Sequence, residues 1–179
     1  MKEYQRKSIQ VGVIGKERID PNNQEQQLAI QEAYTLGKLL AERGITVVSG
    51  GLGGVMNAVS KGVAEKNGVS VGIIPHLDEK EVDERKVSEF LTVRIPTQMN
   101  QRMRIPLVIS CCDAVIALSG GTGTWLEAGF AYAENIPVIC LPKTGGVAQR
   151  LCDEHPFNSY VQPASNAEDA ITILDKILN

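Results

Sequence analysis

Residues 119–127, with the sequence SGGTGTWLE, carry the clearest signal for chemistry in the chain. They follow an apolar run at residues 113–118 and open a helix of small and apolar residues that is expected to run toward Asn135. Three glycines in four positions allow the backbone to approach a ligand closely. The helix that follows presents unpaired N–H groups and the positive end of its dipole at the same place. Strand, glycine loop and helix in this order are typical of a site that binds phosphate through backbone atoms.

The same stretch also fits a capping box, in which Thr124 caps the helix and Glu127 reaches back to it with nothing bound. A cap needs one threonine and one glutamate, but it does not need three glycines and a second threonine. We therefore favour an anion cradle, although a cap and a ligand site can coexist. The predicted cradle residues are Ser119, Gly120, Gly121, Thr122, Gly123 and Thr124.

The position of Glu127 limits the kinds of ligand that the predicted cradle can bind. At the third or fourth position of the helix, its side chain leans toward the helix N-terminus and toward any anion bound there. A carboxylate about 6 Å from a phosphate charge is repelled by roughly 2–3 kcal/mol at an effective dielectric near 20. We therefore expect Glu127 to contact ribose hydroxyls or a developing positive charge, with an arginine nearby to balance it. Arg102 and Arg104 are the candidates, and for each of them a place in the site and simple surface solvation both stay open.

Segments typical of strands and helices alternate along the chain. Apolar segments predict strands at 9–14, 45–49, 69–74, 90–95, 113–118 and 136–141, with a last edge strand at 157–161. Apolar spacing and helix signals predict further helices at 25–43, 57–66, 98–111, 147–152 and 167–178, the third of them starting near Pro106 or kinked there. The alternation predicts one α/β domain over residues 1–179, a Rossmann-like, doubly wound and mainly parallel sheet with helices on both faces. Residues 1–8 form a polar leader, and the acidic segment 76–89 is expected to be a solvated loop or short helix.

A second glycine loop, at residues 50–56, follows the second predicted strand. In doubly wound sheets, ligands bind beyond the carboxyl ends of the strands, where the strand order reverses. The glycines predicted to approach the ligand there are Gly15, Gly50, Gly51, Gly53 and Gly54. The dinucleotide fingerprint is absent after the first strand, and neither loop carries the Gly-Lys-Ser/Thr of a Walker loop. NAD and nucleoside triphosphates are therefore disfavoured.

Composition excludes several classes of protein. Of 179 residues, 43% are hydrophobic and 22% charged, as in an ordinary globular protein, and the net charge of −3 argues against nucleic acid as a partner. The N-terminus lacks the apolar core of a signal peptide and no run could span a bilayer, so we expect a cytoplasmic protein with no membrane partner. The four cysteines lack zinc-type spacing and are expected to be reduced, mostly buried and inert; they are Cys111, Cys112, Cys140 and Cys152. The two histidines, His76 and His155, stand in unrelated contexts, which disfavours a histidine triad or a metal site.

The two glycine motifs together, GGxxGxM at residues 50–56 and GGxGTxxE at residues 120–127, resemble those of the LONELY GUY (LOG) superfamily, often labelled "lysine decarboxylase-like". The resemblance extends from the first strand to about Leu141. It departs from the family pattern in two places: Ser119 stands at the proline position of the motif, and Ile105 and Pro106 follow the arginine where a lysine is usual. These departures look more like a short subfamily that also contains molybdenum-cofactor carrier proteins.

The resemblance implies a Rossmann-like homo-oligomer, a dimer or tetramer, that binds a small phosphorylated ligand and requires no cofactor. The best-known members are phosphoribohydrolases, which release a base from a nucleoside 5′-monophosphate, and it implies that Arg104 and Glu127 are the catalytic pair. The carrier proteins instead bind a phosphorylated pterin without turnover, so the molybdenum cofactor is the alternative ligand. A decarboxylase is not supported, because no lysine has a visible reason to form a Schiff base with pyridoxal phosphate.

Overall fold

The structure, a computed structural model, describes residues 8–77, 86–154 and 156–178. Its strands are β1 (Gln10–Gly15), β2 (Thr46–Ser49), β3 (Ser70–Ile74), β4 (Val93–Pro96), β5 (Ala114–Leu118), β6 (Val138–Leu141) and β7 (Gln162–Pro163). They form one sheet in the order β4-β3-β2-β1-β5-β6-β7, in which each neighbouring pair is parallel. The chain runs outward from β1 in one direction and then from β5 in the other, which confirms the predicted doubly wound sheet.

Helices lie on both faces of this sheet. They are α1 (Gln24–Glu42), α2 (Val55–Glu65), α3 (Ile105–Ser110), α4 (Thr122–Ala133), α5 (Gly146–Asp153) and α6 (Ala167–Leu178). No helix in the part of the chain that the structure describes is both long and apolar enough to cross a bilayer.

The central strand β5 shows why the buried segments are continuously apolar. Ile116 and Leu118 point into a core with α1, α2 and α6, whereas Val115 and Ala117 point into a second core with α3, α4 and α5. Successive side chains of a strand face opposite sides of the sheet, and here both sides are covered. All four side chains are fully buried. Packing on both faces therefore holds β5 in place, and the glycine loop starts at its carboxyl end.

The helix predicted within 98–111 starts near Pro106, which is one of the two predicted alternatives. Only Ile105–Ser110 is helical, with a proline in its first turn. The side chain of Asn100 accepts hydrogen bonds from the backbone N–H groups of Arg102 and Met103, at 3.1 and 2.9 Å. These bonds stabilise the turn that precedes the helix, at residues 101–104.

The edge strand predicted at 157–161 is wrong. Phe157–Ser159 is a 3₁₀ turn, and the edge strand is Gln162–Pro163. The rings of Phe157 and Tyr160 pack against aromatic side chains of α4, and the Tyr160 hydroxyl donates to the carbonyls of Ala131 and Ile136. These aromatic side chains therefore form a cluster with α4 and do not lie on the face of a strand.

Some predicted features fall outside the described residues. They are most of the polar leader (residues 1–7), the centre of the acidic segment (residues 78–85) and His155. The strand predicted at 90–95 forms at Val93–Pro96.

Candidate functional site

The candidate site lies where the strand order reverses. β1 and β5 are parallel neighbours, with Gly15 opposite Leu118, so the loops after these strands start side by side. The loop after β2 leaves the same end of the sheet, because β2 is parallel to β1.

The glycine loop leads directly into α4, but its cap differs from the predicted capping box. The helix begins at Thr122, Gly121 is its N-cap, and no side chain caps it. The predicted box is therefore wrong: Thr124 is the third residue of the helix, and its buried side chain lies against Gly120. The N–H groups of the first turn have no partner within the helix. Because Gly121 and Gly123 are exposed, with open space beside them, an anion can reach this helix end.

The turn after β6 and the first turn of α5 hold the glycine loop in place. The backbone N–H of Ser119 donates to Thr144 Oγ1 at 2.7 Å, and the Ser119 carbonyl accepts from the N–H of Ala148 at 2.8 Å. The Gly120 carbonyl accepts from the N–H of Val147 at 3.4 Å. These bonds tie the loop to a neighbouring element and leave its far side, at Gly121 and beyond, facing the cavity.

Glu127 lies one turn deeper in α4 than predicted. It is the sixth helical residue rather than the third or fourth, so its side chain leans back over the turn that contains Gly123. The residue as a whole is half-buried. Burial raises the pKa of its carboxyl group to about 7, and the positive charge of Arg104 opposes this rise. The carboxyl group is therefore about half ionised near neutral pH.

Arg104 is the buried arginine of the site. It is 2% exposed and precedes α3, whose first turn begins at the next residue. Its guanidinium group lies against the backbone of Gly50, where β2 ends. A buried guanidinium is costly unless a negative charge lies nearby, and Glu127 is one such charge.

Two cavities meet at this pair. The larger, about 770 Å³, opens toward the ends of β3 and β4, and the smaller, about 180 Å³, opens toward the end of β1. Both are lined by Gln101, Arg104, Gly123 and Glu127. Because the two cavities share these four residues, they adjoin each other beside the N-terminal end of α4, with Arg104 and Glu127 in the wall between them; we call the two cavities together the groove.

The structure brings most of the predicted cradle together and distinguishes the two arginines. Thr122 lines the larger cavity, and Gly15, Gly121 and Thr124 line the smaller one. Arg102 is exposed and lines only the larger cavity of the two, whereas buried Arg104 reaches both. Other predicted residues line neither of these two cavities; they are Gly50, Gly51, Gly53, Gly54, Ser119 and Gly120.

The second glycine loop supports the site from behind. Gly51 is packed against Ile74 and Leu91. Gly54 has a φ of +59°, and a Cβ there would lie 2.1 Å from the carbonyl oxygen of Lys16. Gly53 lines a separate cavity of about 500 Å³. The second glycine loop therefore packs closely against Lys16 on one side and against Ile74 and Leu91 on the other, and the lack of side chains at its glycines allows this packing.

Sequence reasoning missed much of the cavity wall. The larger cavity is also lined by His76, Gln98, Asn100, Met103, Ile105 and Leu126, and the smaller by Lys16, Glu17 and Met56. His76 and Gln98 follow the ends of β3 and β4, and a hydrogen bond of 3.1 Å joins His76 Nδ1 and Gln98 Oε1. The rule that ligands bind beyond the carboxyl ends of parallel strands could have found both.

Among the residues that the structure describes, no group of three or more His, Cys, Asp or Glu side chains is placed to hold a metal ion. The polar groups of the groove instead include amides, an imidazole, the charged side chains of Lys16, Glu17 and Arg102, the Arg104–Glu127 pair and the open end of α4. These groups suit an organic phosphate.

The fold and the site define a Rossmann-like protein with a glycine-rich loop at the switch point of its sheet. The chain belongs to the SLOG cluster4 family, whose sequence profile matches residues 8–171. The resemblance to the LOG superfamily and its carrier-protein subfamily is thereby confirmed.

Three known proteins are similar to this chain over most of its length. One from rice, Oryza sativa subsp. japonica, described as "Probable cytokinin riboside 5'-monophosphate phosphoribohydrolase LOG4", is 38% identical over 164 residues, covering 79% of this chain and 67% of that protein. The molybdenum cofactor binding protein from the phototrophic bacterium Rippkaea orientalis is 28% identical with a TM-score of 0.80, covering 98% of this chain and all of the other. The molybdenum cofactor carrier protein from Chlamydomonas reinhardtii is 24% identical with a TM-score of 0.77, covering 96% and 98% of the two chains, and shares the fold.

Proposed function

We propose that the protein binds a nucleoside 5′-monophosphate in the groove and hydrolyses its N-glycosidic bond. The observation that carries the proposal is the convergence of Arg104 and Glu127 where the two cavities meet, beside the uncapped end of α4. The similarity to the rice protein supports it. This reaction needs a group that binds phosphate, a charge that balances the carboxylate, and an acid–base group. The open helix end supplies the first, Arg104 the second, and the carboxyl group of Glu127, with its raised pKa, the third.

The phosphate binds at the N-terminal end of α4. The first-turn N–H groups of Thr122 and Gly123 and the helix dipole attract it, and Lys16, in the same smaller cavity, adds a positive charge. The ribose then lies next to Glu127, one to two turns along the helix. This placement explains why Gly121 and Gly123 have no side chain, since a larger residue there would fill the space that the phosphate needs.

Glu127 acts on the anomeric carbon. As the bond to the base breaks, positive charge develops on the ribose, and the ionised carboxylate stabilises it. A water molecule adds to that carbon and the carboxylate accepts its proton. The base leaves with the electron pair of the broken C–N bond and takes up that proton, so that Glu127 is ionised again. A general base works best when its pKa lies near the operating pH, and a pKa of about 7 meets this condition. Arg104 keeps a positive charge beside the carboxylate and so reduces its repulsion with the phosphate.

A second candidate is a carrier that binds a phosphorylated pterin such as the molybdenum cofactor without turnover. It is favoured by the size of the larger cavity, about 770 Å³, and by its wall of His76, Gln98 and Gln101, which offers many hydrogen-bonding groups to a pterin. The similarity to the Rippkaea orientalis protein supports it as well.

Base release from purified nucleoside 5′-monophosphates distinguishes the two candidates. For a hydrolase, the wild-type protein releases free base, and Glu127→Gln lowers the rate by about 10²-fold or more while affinity for the monophosphate stays equal or rises. Glu134→Gln, the same change at the exposed end of α4, is the matched control and keeps full activity. If the wild type releases no base from any monophosphate, and native mass spectrometry of the purified protein finds a retained pterin, the carrier function replaces the hydrolase.

A further inference from the structure

Two polar side chains form a hydrogen-bonded pair in the wall of the larger cavity. His76 follows β3, Gln98 follows β4, and His76 Nδ1 lies 3.1 Å from Gln98 Oε1. Because the oxygen of an amide only accepts, the proton of this bond belongs to Nδ1. In the neutral imidazole, Nε2 is then an acceptor, and the amide nitrogen of Gln98 is a donor. The pair therefore offers a ligand one acceptor and one donor side by side.

The backbone around this pair is held by hydrogen bonds between the ends of β3 and β4. The N–H of His76 donates to the carbonyl of Met99 at 2.6 Å, and the N–H and hydroxyl of Thr97 donate to the carbonyl of Ile74 at 3.0 and 2.9 Å. Gln98 has a φ of +57°, which is uncommon for a residue with a side chain. Backbone of this kind persists where the surrounding structure holds it, and it occurs most often at functional sites.

The proposed placement of the nucleotide leaves its base to the larger cavity. The phosphate lies at the end of α4, beside the smaller cavity of about 180 Å³, and the ribose lies next to Glu127 in the wall between the two cavities. The larger cavity, about 770 Å³, has room for the two rings of a purine. Met103 and Leu126 also line it and are 63% and 45% exposed, so they offer apolar surface to the flat face of a base.

We propose that His76 and Gln98 recognise the edge of the base, and that this base is a purine with a hydrogen-bonding substituent at position 6. In adenine, the amino group donates to His76 Nε2 and the ring nitrogen N1 accepts from the Gln98 amide. In hypoxanthine, N1–H donates to His76 and the carbonyl oxygen accepts from Gln98. Unsubstituted purine has the acceptor N1 but no donor, and leaves His76 Nε2 without a partner. The inference rests on the proposed function, from which it takes the positions of phosphate and ribose.

The test compares three ligands: AMP, purine riboside 5′-monophosphate, which lacks the 6-amino group, and ribose 5-phosphate, which lacks the base. Isothermal titration measures their affinities in Glu127→Gln, the parent, in which turnover is slow. We expect the parent to bind AMP about fivefold more tightly than the purine compound, as one hydrogen bond provides. Adding His76→Ala makes these two affinities equal. Adding Gln98→Ala, which keeps a Cβ on the same backbone, weakens AMP about fivefold, and ribose 5-phosphate binds equally well to all three proteins.

Gln149→Ala, the same change at an exposed position of α5, is the matched control and keeps the preference for AMP. If the parent binds AMP but His76→Ala and Gln98→Ala bind it equally well, the inference is overturned while the proposed function stands. Equal affinity of the parent for AMP and the purine compound overturns it too, as does tighter binding of CMP than of AMP. Weaker binding of ribose 5-phosphate by the variants would show a displaced loop and no contact with the base.

Failure of the proposed function gives a different result. In that case the parent binds neither AMP nor ribose 5-phosphate, or the protein with Glu127 intact releases no base from AMP. If the parent binds AMP and the intact protein releases no base, the affinities still decide whether His76 and Gln98 recognise the purine edge.

Discussion

The guanidinium group of Arg104 rests on the backbone of Gly50: a Cβ at Gly50 would lie 2.4 Å from Nη2 and 2.7 Å from Nη1 of that arginine. Gly50 was predicted to let the backbone approach a ligand. In the structure, its missing side chain makes room for the arginine instead. The glycine at the end of β2 therefore sets the position of Arg104, and through it the charge beside Glu127.

Gly50→Ala should move Arg104 without unfolding the protein. The clashing atoms are the end of a flexible side chain, so we expect a loss of at most about 1 kcal/mol in the free energy of unfolding but a roughly tenfold or greater loss of affinity for a nucleoside monophosphate. Isothermal titration and urea melts measure the two effects. Gly129→Ala, where nothing lies within 4 Å of the new Cβ, is the control. Unchanged affinity in Gly50→Ala would show that the position of Arg104 does not matter for binding.

Gly121→Val should block phosphate binding and leave the fold intact. Gly121 has a negative φ of −138° in an extended backbone, and a Cβ there meets nothing within 4 Å. With AMP at one hundred times its dissociation constant, the wild type should gain about 2.7 kcal/mol and adenosine should give little. Thermal melts of the variant should lose this difference, whereas Gly121→Ala should lose only part of it. Equal stabilisation of the wild type by adenosine and AMP would rule out a phosphate site here.

Glu127→Gln should stabilise the protein in a pH-dependent way. The pKa of Glu127 in the folded protein, about 7, lies above its value of 4.5 in the unfolded chain. The folded state therefore holds the proton more tightly, so the carboxyl group contributes fully below pH 4.5, and this contribution is lost as pH rises to 7. The loss is at most about 3 kcal/mol, and glutamine does not suffer it. Urea melts at pH 5 and pH 8 should show the larger gain at pH 8, with Glu134→Gln unchanged; an equal gain at both pH values would contradict the shifted pKa.

Ser119→Pro, which restores the proline of the family motif, should destabilise this protein. Ser119 has a φ of +55°, whereas the ring of proline fixes φ near −65°. Its N–H also donates to Thr144 Oγ1, and proline has no N–H to donate. We expect a loss of about 3 kcal/mol or more in the free energy of unfolding, measured by chemical melts. Ser119→Ala, which keeps the N–H and removes only the hydroxyl, is the control; a proline variant as stable as the alanine variant would mean that the loop adopts a different backbone.

Much of the fold follows from local patterns. The apolar run of β5 and the glycines after β2 and β5 are signals that span only a few residues. Hydrophobic periodicity and turn-forming residues were therefore enough to predict the sheet and its helices. The predictions failed where a local rule competed with another contact. Phe157 and Tyr160, for example, pack under α4 instead of forming a strand.

The sequence by itself determined the doubly wound sheet, the glycine loop at its switch point, and Glu127 with either Arg102 or Arg104 as the residues to examine. Only the tertiary structure decided that Arg104 rather than Arg102 is buried, that Gly50 makes room for it, and that His76 and Gln98 form part of the wall. The physical reason is distance along the chain. Periodicity and capping act over one or two turns, whereas the groove is assembled from the ends of five parallel strands, and the pKa of Glu127 depends on the burial and the charge that those distant segments supply.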